Sequence, residues 1–138
     1  MSRENVELLE RGYAAFGAGD VQATLALMRP DVEVEVYTER PDMSNRLYLG
    51  HEGFLANFSE MTEVFEDFRL DPEGIEDRGD RIMVTVRATG RGRTSGAGIE
   101  GRLFHVWTVI DGQATRLEVH NDREQALAAL LRDSERPP

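Results

Sequence analysis

The pair Asp111-Gly112 separates two stretches of alternating apolar and polar residues, 103–110 and 113–122, near the end of this 138-residue chain. Asp-Gly in such a position is the strongest short-range signal of a β-hairpin with a two-residue turn. A turn of this length fixes which residues of the two strands lie opposite each other. The sequence therefore predicts the following cross-strand pairs: Ile110 with Gln113, Trp107 with Arg116, His105 with Glu118, and Leu103 with His120.

The two faces of the predicted hairpin differ in chemistry. One face carries Leu103, His105, Trp107, Val109, Arg116, Glu118, His120 and Asp122. The other carries Phe104, Val106, Thr108, Ile110, Thr115, Leu117 and Val119. The first face mixes apolar residues with ionisable ones, which is typical of a ligand pocket. The second face is apolar and must be covered, and a second copy of the chain, giving a homodimer, is the predicted cover.

The composition limits the partners that the chain can have. The net charge is −10, which argues against nucleic acid and against anionic membranes as partners. The chain has no cysteine, so disulfides, thiolate metal sites and thiol nucleophiles are excluded. The beginning of the sequence has no apolar signal region, and no apolar run is long enough to span a membrane. A cytoplasmic protein is the prediction.

The hydrophobic periodicity predicts helices first and strands afterwards. The expected elements are helices over 2–17 and 20–28, a strand over 32–37, a loop over 38–49, a helix from 50 to 65, strands over 68–75, 81–91 and 99–121, and a last helix over 123–131. Residues 1–132 are expected to form a single domain, and 133–138 a loose tail. Segregated helices and strands indicate the α+β class. A curved, mostly antiparallel sheet with the N-terminal helices on its concave face would leave a cavity between them.

Several local patterns resemble the nuclear transport factor 2-like superfamily, and within it the SnoaL-like branch. They are Tyr13-Ala14-Ala15-Phe16, Gly19-Asp20, Leu25-Ala26-Leu27-Met28, Pro30-Asp31-Val32-Glu33, Gly50-His51-Glu52-Gly53, His105-Val106-Trp107-Thr108, Asp111-Gly112 and Asp122-Arg123-Glu124. The resemblance implies a cone-shaped α+β barrel that dimerises through the convex face of its sheet. It implies a hydrophobic pocket that works without a cofactor, in a superfamily that includes cyclases, isomerases, dehydratases and binding proteins.

The candidate chemistry is proton transfer beside the carbonyl group of an apolar compound. The candidate catalytic residues are His105, Glu118 and Asp122, the last by resemblance to the acid/base of SnoaL-like cyclases. The candidate substrate-binding residues are Tyr13, Phe16, Val34, Phe58, Arg87, Trp107 and His120. Tyr13 and Tyr37 are candidate hydrogen-bond donors, and no metal or other cofactor is expected.

Other interpretations of the same residues stay open. Asp122 also suits the N-cap of the last helix, and His105 with Glu118 suits a structural ion pair. Arg87 suits a partner for one of the many acids, which we favour over a pocket cation. A metal site made by His105, His120 and Glu118 is a further alternative. At the level of function, the alternatives are a non-catalytic small-molecule binder and an assembly module whose cavity is vestigial.

Overall fold

Six strands and four helices form the part of the chain that the computed structural model describes, residues 2–37 and 46–132. The helices are α1 (Ser2–Gly17), α2 (Val21–Ala26), α3 (Gly50–Val64) and α4 (Arg123–Leu130). The strands are β1 (Met28–Val36), β2 (Arg46–Leu49), β3 (Phe65–Arg78), β4 (Arg81–Gly92), β5 (Gly98–Ile110) and β6 (Gln113–His120). No helix among these residues is long and apolar enough to cross a membrane.

The strands form one curled sheet in the order β2-β1-β6-β5-β4-β3. β1 and β6 are parallel, and every other neighbouring pair is antiparallel. β3 lies at one edge and its pairing with β4 shifts register between Pro72 and Gly74, as expected for a strand interrupted by proline. This mixed architecture confirms the predicted α+β class with a curved, mostly antiparallel sheet.

The N-terminal helices pack on the concave face of the sheet. Leu8 and Leu9 of α1 and Leu25 of α2 are buried in the same core cluster as strand residues of β1, β4, β5 and β6. The helices are joined by a loop that ends in Asp20, whose carboxylate accepts a hydrogen bond from the backbone N–H of Ala23 at 3.1 Å and so caps α2. The predicted second helix is present but ends at Ala26, and Met28 already belongs to β1.

α4 packs on the opposite, convex face. Ala126, Ala129 and Leu130 of this helix form a second core cluster with three buried strand residues: Met83, Phe104 and Val106. The apolar face predicted for the hairpin is therefore covered in part by the chain's own last helix. Of its other apolar members, Leu117 and Val119 belong to the concave side, and Ile110 is 38% exposed. Homodimer formation stays a prediction, because most of the apolar face on which it was based is covered by α4 or lies on the concave side.

The segment 46–49 is a strand, which corrects the prediction of a loop over 38–49. β2 pairs with β1 so that Tyr48 lies opposite Val34. A strand of four residues carries too little alternation to be recognised among polar neighbours. Residues 38–45 of the predicted loop and the predicted tail 133–138 lie outside the described residues.

A glycine sets the distance between β2 and the helix that follows it. A Cβ atom at Gly53 would lie 2.7 Å from the backbone carbonyl carbon of Tyr48. Only a residue without a side chain permits this close approach. Gly53 therefore holds α3 near the sheet and fixes the position of its aromatic residues Phe54 and Phe58.

The final hairpin has the predicted turn and a different register. Asp111 and Gly112 have φ angles of 52° and 78°, which a two-residue hairpin turn of this kind requires, and Ile110 pairs with Gln113 as predicted. One step beyond, the register shifts, because Val109 pairs with Ala114 and Thr108 with Arg116. Thr115 is the additional residue of a β-bulge.

Because of the bulge, His105 and Trp107 of β5 lie opposite other residues of β6 than the uninterrupted hairpin predicts. His105 lies opposite Val119 and Trp107 opposite Leu117, while Glu118 lies opposite Val106. The predicted pairs His105–Glu118, Trp107–Arg116 and Leu103–His120 are therefore wrong. A shift of one residue moves the following side chains of a strand to the other face of the sheet.

Candidate functional site

A cavity of about 190 Å³ lies between the helices and the concave face of the sheet. The predicted catalytic residue His105 lines the cavity, together with four of the predicted substrate-binding residues: Tyr13, Phe16, Phe58 and Trp107. Leu117 and Val119 line it as well, which follows from the bulge. Most of the lining is apolar, as in pockets that bind hydrophobic molecules.

Aromatic side chains form one wall of the cavity. Phe16 of α1 meets Phe58 of α3 edge to face, with ring centroids 4.7 Å apart. Phe54 lies 6.2 Å from Phe16, and Phe68 lies 6.2 Å from Phe58, by the same measure. Edges and faces of aromatic rings pack favourably against flat apolar ligands. The wall is suited to a ligand with a ring.

The polar groups of the cavity form a chain of hydrogen bonds. The indole Nε1–H of Trp107 donates to the phenol oxygen of Tyr13 at 2.9 Å. That phenol oxygen lies 2.6 Å from Nδ1 of His105. The rings of Tyr13 and His105 are stacked, with 20° between their planes. Tyr13, supported by Trp107, holds the imidazole of His105 in a fixed orientation at the cavity wall.

The surroundings keep both His105 and Tyr13 uncharged at neutral pH. Burial, with a smaller contribution from the charge of His120, lowers the pKa of His105 to about 4. Burial raises the pKa of the Tyr13 phenol well above its ordinary value, against the smaller effect of the Trp107 hydrogen bond. At pH 7 the site therefore contains a neutral imidazole beside a protonated phenol.

No carboxylate is among the described residues that line the cavity. Glu118, a predicted catalytic residue, is on the convex face of the sheet. Asp122, the other one, caps α4 by accepting a hydrogen bond from the backbone N–H of Gln125 at 2.9 Å. The capping interpretation of Asp122 is confirmed. Catalytic roles for Glu118 and Asp122 stay predictions, and neither residue lines the cavity.

On the convex face, Glu118 is the centre of an ion cluster. Its carboxylate lies 3.3 Å from Nε of Arg116, 3.2 Å from Nε2 of His120 and 3.8 Å from Nη1 of Arg132. Arg116 also pairs with Glu33 and Glu35 of β1. Burial alone would raise the pKa of Glu118, but the hydrogen bond with His120 and the charge of Arg116 hold that pKa below its usual value. The cluster joins β6 to β1.

Two further predicted site residues lie in or beside this cluster. His120, predicted to contact the substrate, is 2% exposed and hydrogen-bonds Glu118. Tyr37 stacks on the His120 ring, with centroids 4.3 Å apart. Neither lines the cavity. Because His105 faces the other side of the sheet, the alternative of a metal site shared by His105, His120 and Glu118 is wrong.

Arg87 and Val34 do not line the cavity either. Arg87 forms an ion pair with Glu100 at 2.9 Å, which confirms the interpretation that we favoured for this residue. Val34 is fully buried in the core cluster that also contains Trp107. Its contribution is to packing behind the site.

Several lining residues have no strong signal in the sequence. Asn57 of α3 lines the cavity between Phe54 and Phe58, and no described residue hydrogen-bonds its side-chain amide. An asparagine on the apolar stripe of a predicted helix is the one cue that the sequence offers. Phe54, Met61, Phe68 and Leu70 belong to the expected apolar pattern, which does not distinguish a cavity wall from a filled core.

The family model of the SnoaL-like domain matches residues 9–117. Among curated proteins, none matches the chain. TerC, in a crystal structure with polyporic acid, is 28% identical with a TM-score of 0.74, over 94% of this chain and 99% of that chain.

Two nuclear transport factor 2-like proteins are similar over most of their length. The protein from Burkholderia thailandensis is 25% identical with a TM-score of 0.73, over 88% of this chain and 95% of that chain. The protein from Burkholderia xenovorans is 26% identical with a TM-score of 0.70, over 94% of this chain and 98% of that chain. The matched domain model and the shared fold lead to one conclusion: this chain belongs to the SnoaL-like domain family of the nuclear transport factor 2-like superfamily.

Proposed function

We propose that this chain binds a small, largely apolar carbonyl compound in the cavity, with His105 as the group that meets the carbonyl oxygen. The observation that carries the proposal is an oriented imidazole in a largely apolar, aromatic-walled cavity. A polar ligand atom that enters such a space needs a hydrogen-bond partner there, because an unpaired buried polar group is costly. His105 supplies that partner at one place in the wall.

The absence of a carboxylate from the described lining argues against a ligand with a cationic group. A ligand ammonium group would be buried without a carboxylate to pair with it, at a cost of several kcal/mol. The similarity to TerC, which was crystallised with polyporic acid, makes polyporic acid the first probe.

Trp107 provides a direct measurement of binding. It is the single tryptophan of the chain and lines the cavity, so its fluorescence reports on occupancy without a label. We expect polyporic acid or an aromatic ketone of a screening set to change the emission in a saturable way. A set of such compounds that leaves the emission unchanged at saturating concentrations would refute the proposal.

A matched pair of variants tests whether the ligand enters this cavity. Phe58→Ala removes an aromatic wall residue, whereas Leu55→Ala alters an exposed residue of the same helix that lies outside the lining. Loss of a wall contact of this size corresponds to an affinity decrease of about tenfold or more. We expect that decrease for Phe58→Ala and less than about a twofold change for Leu55→Ala, measured by calorimetry.

Proton transfer beside the carbonyl group is a second candidate function. It is favoured by the imidazole being held in place by Tyr13 at 2.6 Å, since oriented groups are effective in acid/base steps. With Glu118 and Asp122 outside the lining, His105 would stabilise the enolate oxygen through a ring N–H, and water or a buffer base would take the proton from carbon. Deuterium exchange at the carbon next to the carbonyl of a bound ketone tests this role. Exchange by the wild type and not by His105→Phe would support proton transfer. Binding of the ketone without exchange or product would refute proton transfer and support a non-catalytic binding protein.

A further inference from the structure

We infer that Trp107 and Tyr13 fix the tautomer of His105, so that its Nε2–H faces the cavity and selects ligands that present a hydrogen-bond acceptor. This inference deepens the proposed function and, for the ligand class, rests on it. Two successive hydrogen bonds join the residues involved: the indole N–H of Trp107 bonds the hydroxyl of Tyr13, and this hydroxyl bonds the imidazole of His105.

The hydroxyl of Tyr13 lies between Trp107 and His105 and can bond both. An indole N–H can only donate, so the phenol oxygen is the acceptor of the 2.9 Å bond from Trp107. The phenol has one proton of its own, and among the described residues only His105 Nδ1 lies within reach of it. If the phenol donates to Nδ1, then the indole N–H, the phenol O–H and Nδ1 all have a hydrogen-bond partner. The reverse arrangement, Nδ1–H to the phenol oxygen, leaves the phenol proton without a described partner.

The imidazole of His105 then carries its proton on the nitrogen that Tyr13 does not bond. Burial keeps it neutral at pH 7, so the ring carries a single proton. With Nδ1 accepting from Tyr13, that proton is on Nε2. No described residue hydrogen-bonds Nε2. Nε2 is also not one of the fully enclosed side-chain atoms without a partner, so some of its surface is accessible. Because His105 lines the cavity, Nε2–H is open to it.

The Nε2–H group discriminates between ligands by their hydrogen-bonding groups. It forms a hydrogen bond with a carbonyl or enolate oxygen and forms none with an amine cation, which can only donate. A hydroxyl can also accept, but its own proton then needs a second acceptor, for which the side-chain oxygen of Asn57 is a candidate among the described lining residues. The cavity therefore favours a ketone or quinone oxygen over the same skeleton without it. Trp107 acts here as a positioning residue, through Tyr13.

The tautomer can be measured in the ligand-free protein. Long-range proton–nitrogen NMR spectra of protein labelled with ¹⁵N-histidine distinguish Nδ1–H from Nε2–H. We expect His105 of the wild type to be the Nε2–H form, and Trp107→Phe and Tyr13→Phe to show a growing share of Nδ1–H. Tyr48→Phe, whose hydroxyl bonds Glu60 at 2.7 Å, is the matched control and should leave the spectrum unchanged. A wild-type spectrum with Nδ1–H as the main form would overturn the inference.

The same labelled samples test the ligand class with 1-indanone and indane, which differ only in the carbonyl group. One hydrogen bond in an apolar site corresponds to about tenfold in affinity, so we expect 1-indanone to bind the wild type about ten times more tightly. In Tyr13→Phe this ratio should decrease. Equal affinity of the two compounds in the wild type would overturn the selection and leave cavity binding intact. Binding of neither, with the Nε2–H tautomer present, would instead count against the proposed function.

Discussion

His105 and His120 are both almost completely buried, at 5% and 2% exposure, on neighbouring strands of one sheet, yet their surroundings are opposite in character. His105 faces the cavity beside Tyr13 and Trp107, with no carboxylate within the described lining. His120 faces the convex side, where it bonds the buried Glu118 among arginines. The comparison shows that one additional residue in a hairpin can separate a candidate reactive group from a structural ion cluster.

The carboxylate of Glu118 allows the strongest test of the convex side. Its side chain is 1% exposed and contacts Arg116 and His120, so Glu118→Gln removes the buried negative charge at the centre of the cluster, although Arg116 keeps its pairs with Glu33 and Glu35. Removing one member of a buried ion pair costs between about 3 and 5 kcal/mol of unfolding free energy. We expect a loss in that range from urea denaturation.

Glu33→Gln is the matched control for that experiment. Glu33 pairs with the same arginine but is 51% exposed, so the expected loss is below about 1 kcal/mol. Equal effects of the two variants would show that Glu118 is not the buried centre of the cluster, and the contrast between the two faces would not hold.

The pH dependence of stability tests the concave side. The pKa of His105 falls from 6.5 to about 4 on folding, so the folded protein binds this proton less readily than the unfolded chain. The resulting stability is complete above pH 6.5 and is lost as the pH decreases towards 4, by about 3 kcal/mol in total. The wild type should therefore lose more unfolding free energy over this interval than His105→Gln. Parallel curves for the two proteins would contradict the burial of a neutral imidazole.

Asp122, at the boundary between β6 and α4, gives a smaller effect. Because its carboxylate caps α4, Asp122→Ala should cost about 1 kcal/mol of unfolding free energy. Asp20→Ala removes the equivalent cap of α2 and should cost a similar amount. We expect neither variant to change ligand affinity by more than about twofold, as neither residue lines the cavity. Selective loss of binding or turnover in Asp122→Ala would restore the catalytic role predicted from the sequence.

Arg87 gives the smallest expected effect. Its side chain is 44% exposed and that of its partner Glu100 is 60% exposed, so their ion pair contributes little. Arg87→Ala should change the unfolding free energy by less than about 0.5 kcal/mol and leave ligand binding unchanged. A strong decrease in the affinity for an anionic compound would instead place Arg87 at the ligand.

The sequence predicts the element order well because the elements have clear periodic patterns. The apolar stripe of α1, the turn at Asp111-Gly112 and the proline in the edge strand each indicate what the structure contains. The family resemblance, confirmed by the domain match over residues 9–117, adds the curled sheet and its concave pocket. Tyr13, His105 and Trp107, which the sequence pattern predicts as site residues, do line the cavity.

The site chemistry is predicted less well, because it depends on register. The bulge at Thr115 has no local signal, since Ala114 and Thr115 fit an uninterrupted strand as well as a bulged one. The combined pattern of β5 and β6 is a cue to the shifted register that the predicted pairing does not take into account. Leu117 and Val119, placed beside His105 and Trp107, make a more apolar concave face than Arg116 and Glu118 do. A single-strand pattern does not contain that information.

The ionisation of His105 is the most direct test of the account. Its pKa can be measured by following the imidazole protons by NMR through a pH titration, with His105→Gln to assign the signal. An imidazole in the cavity, without a carboxylate beside it, should have a pKa well below 6.5, at about 4. A pKa above 6.5 would mean that a carboxylate pairs with His105, as the uninterrupted hairpin predicts, and would contradict the assignment of His105 and Glu118 to opposite faces.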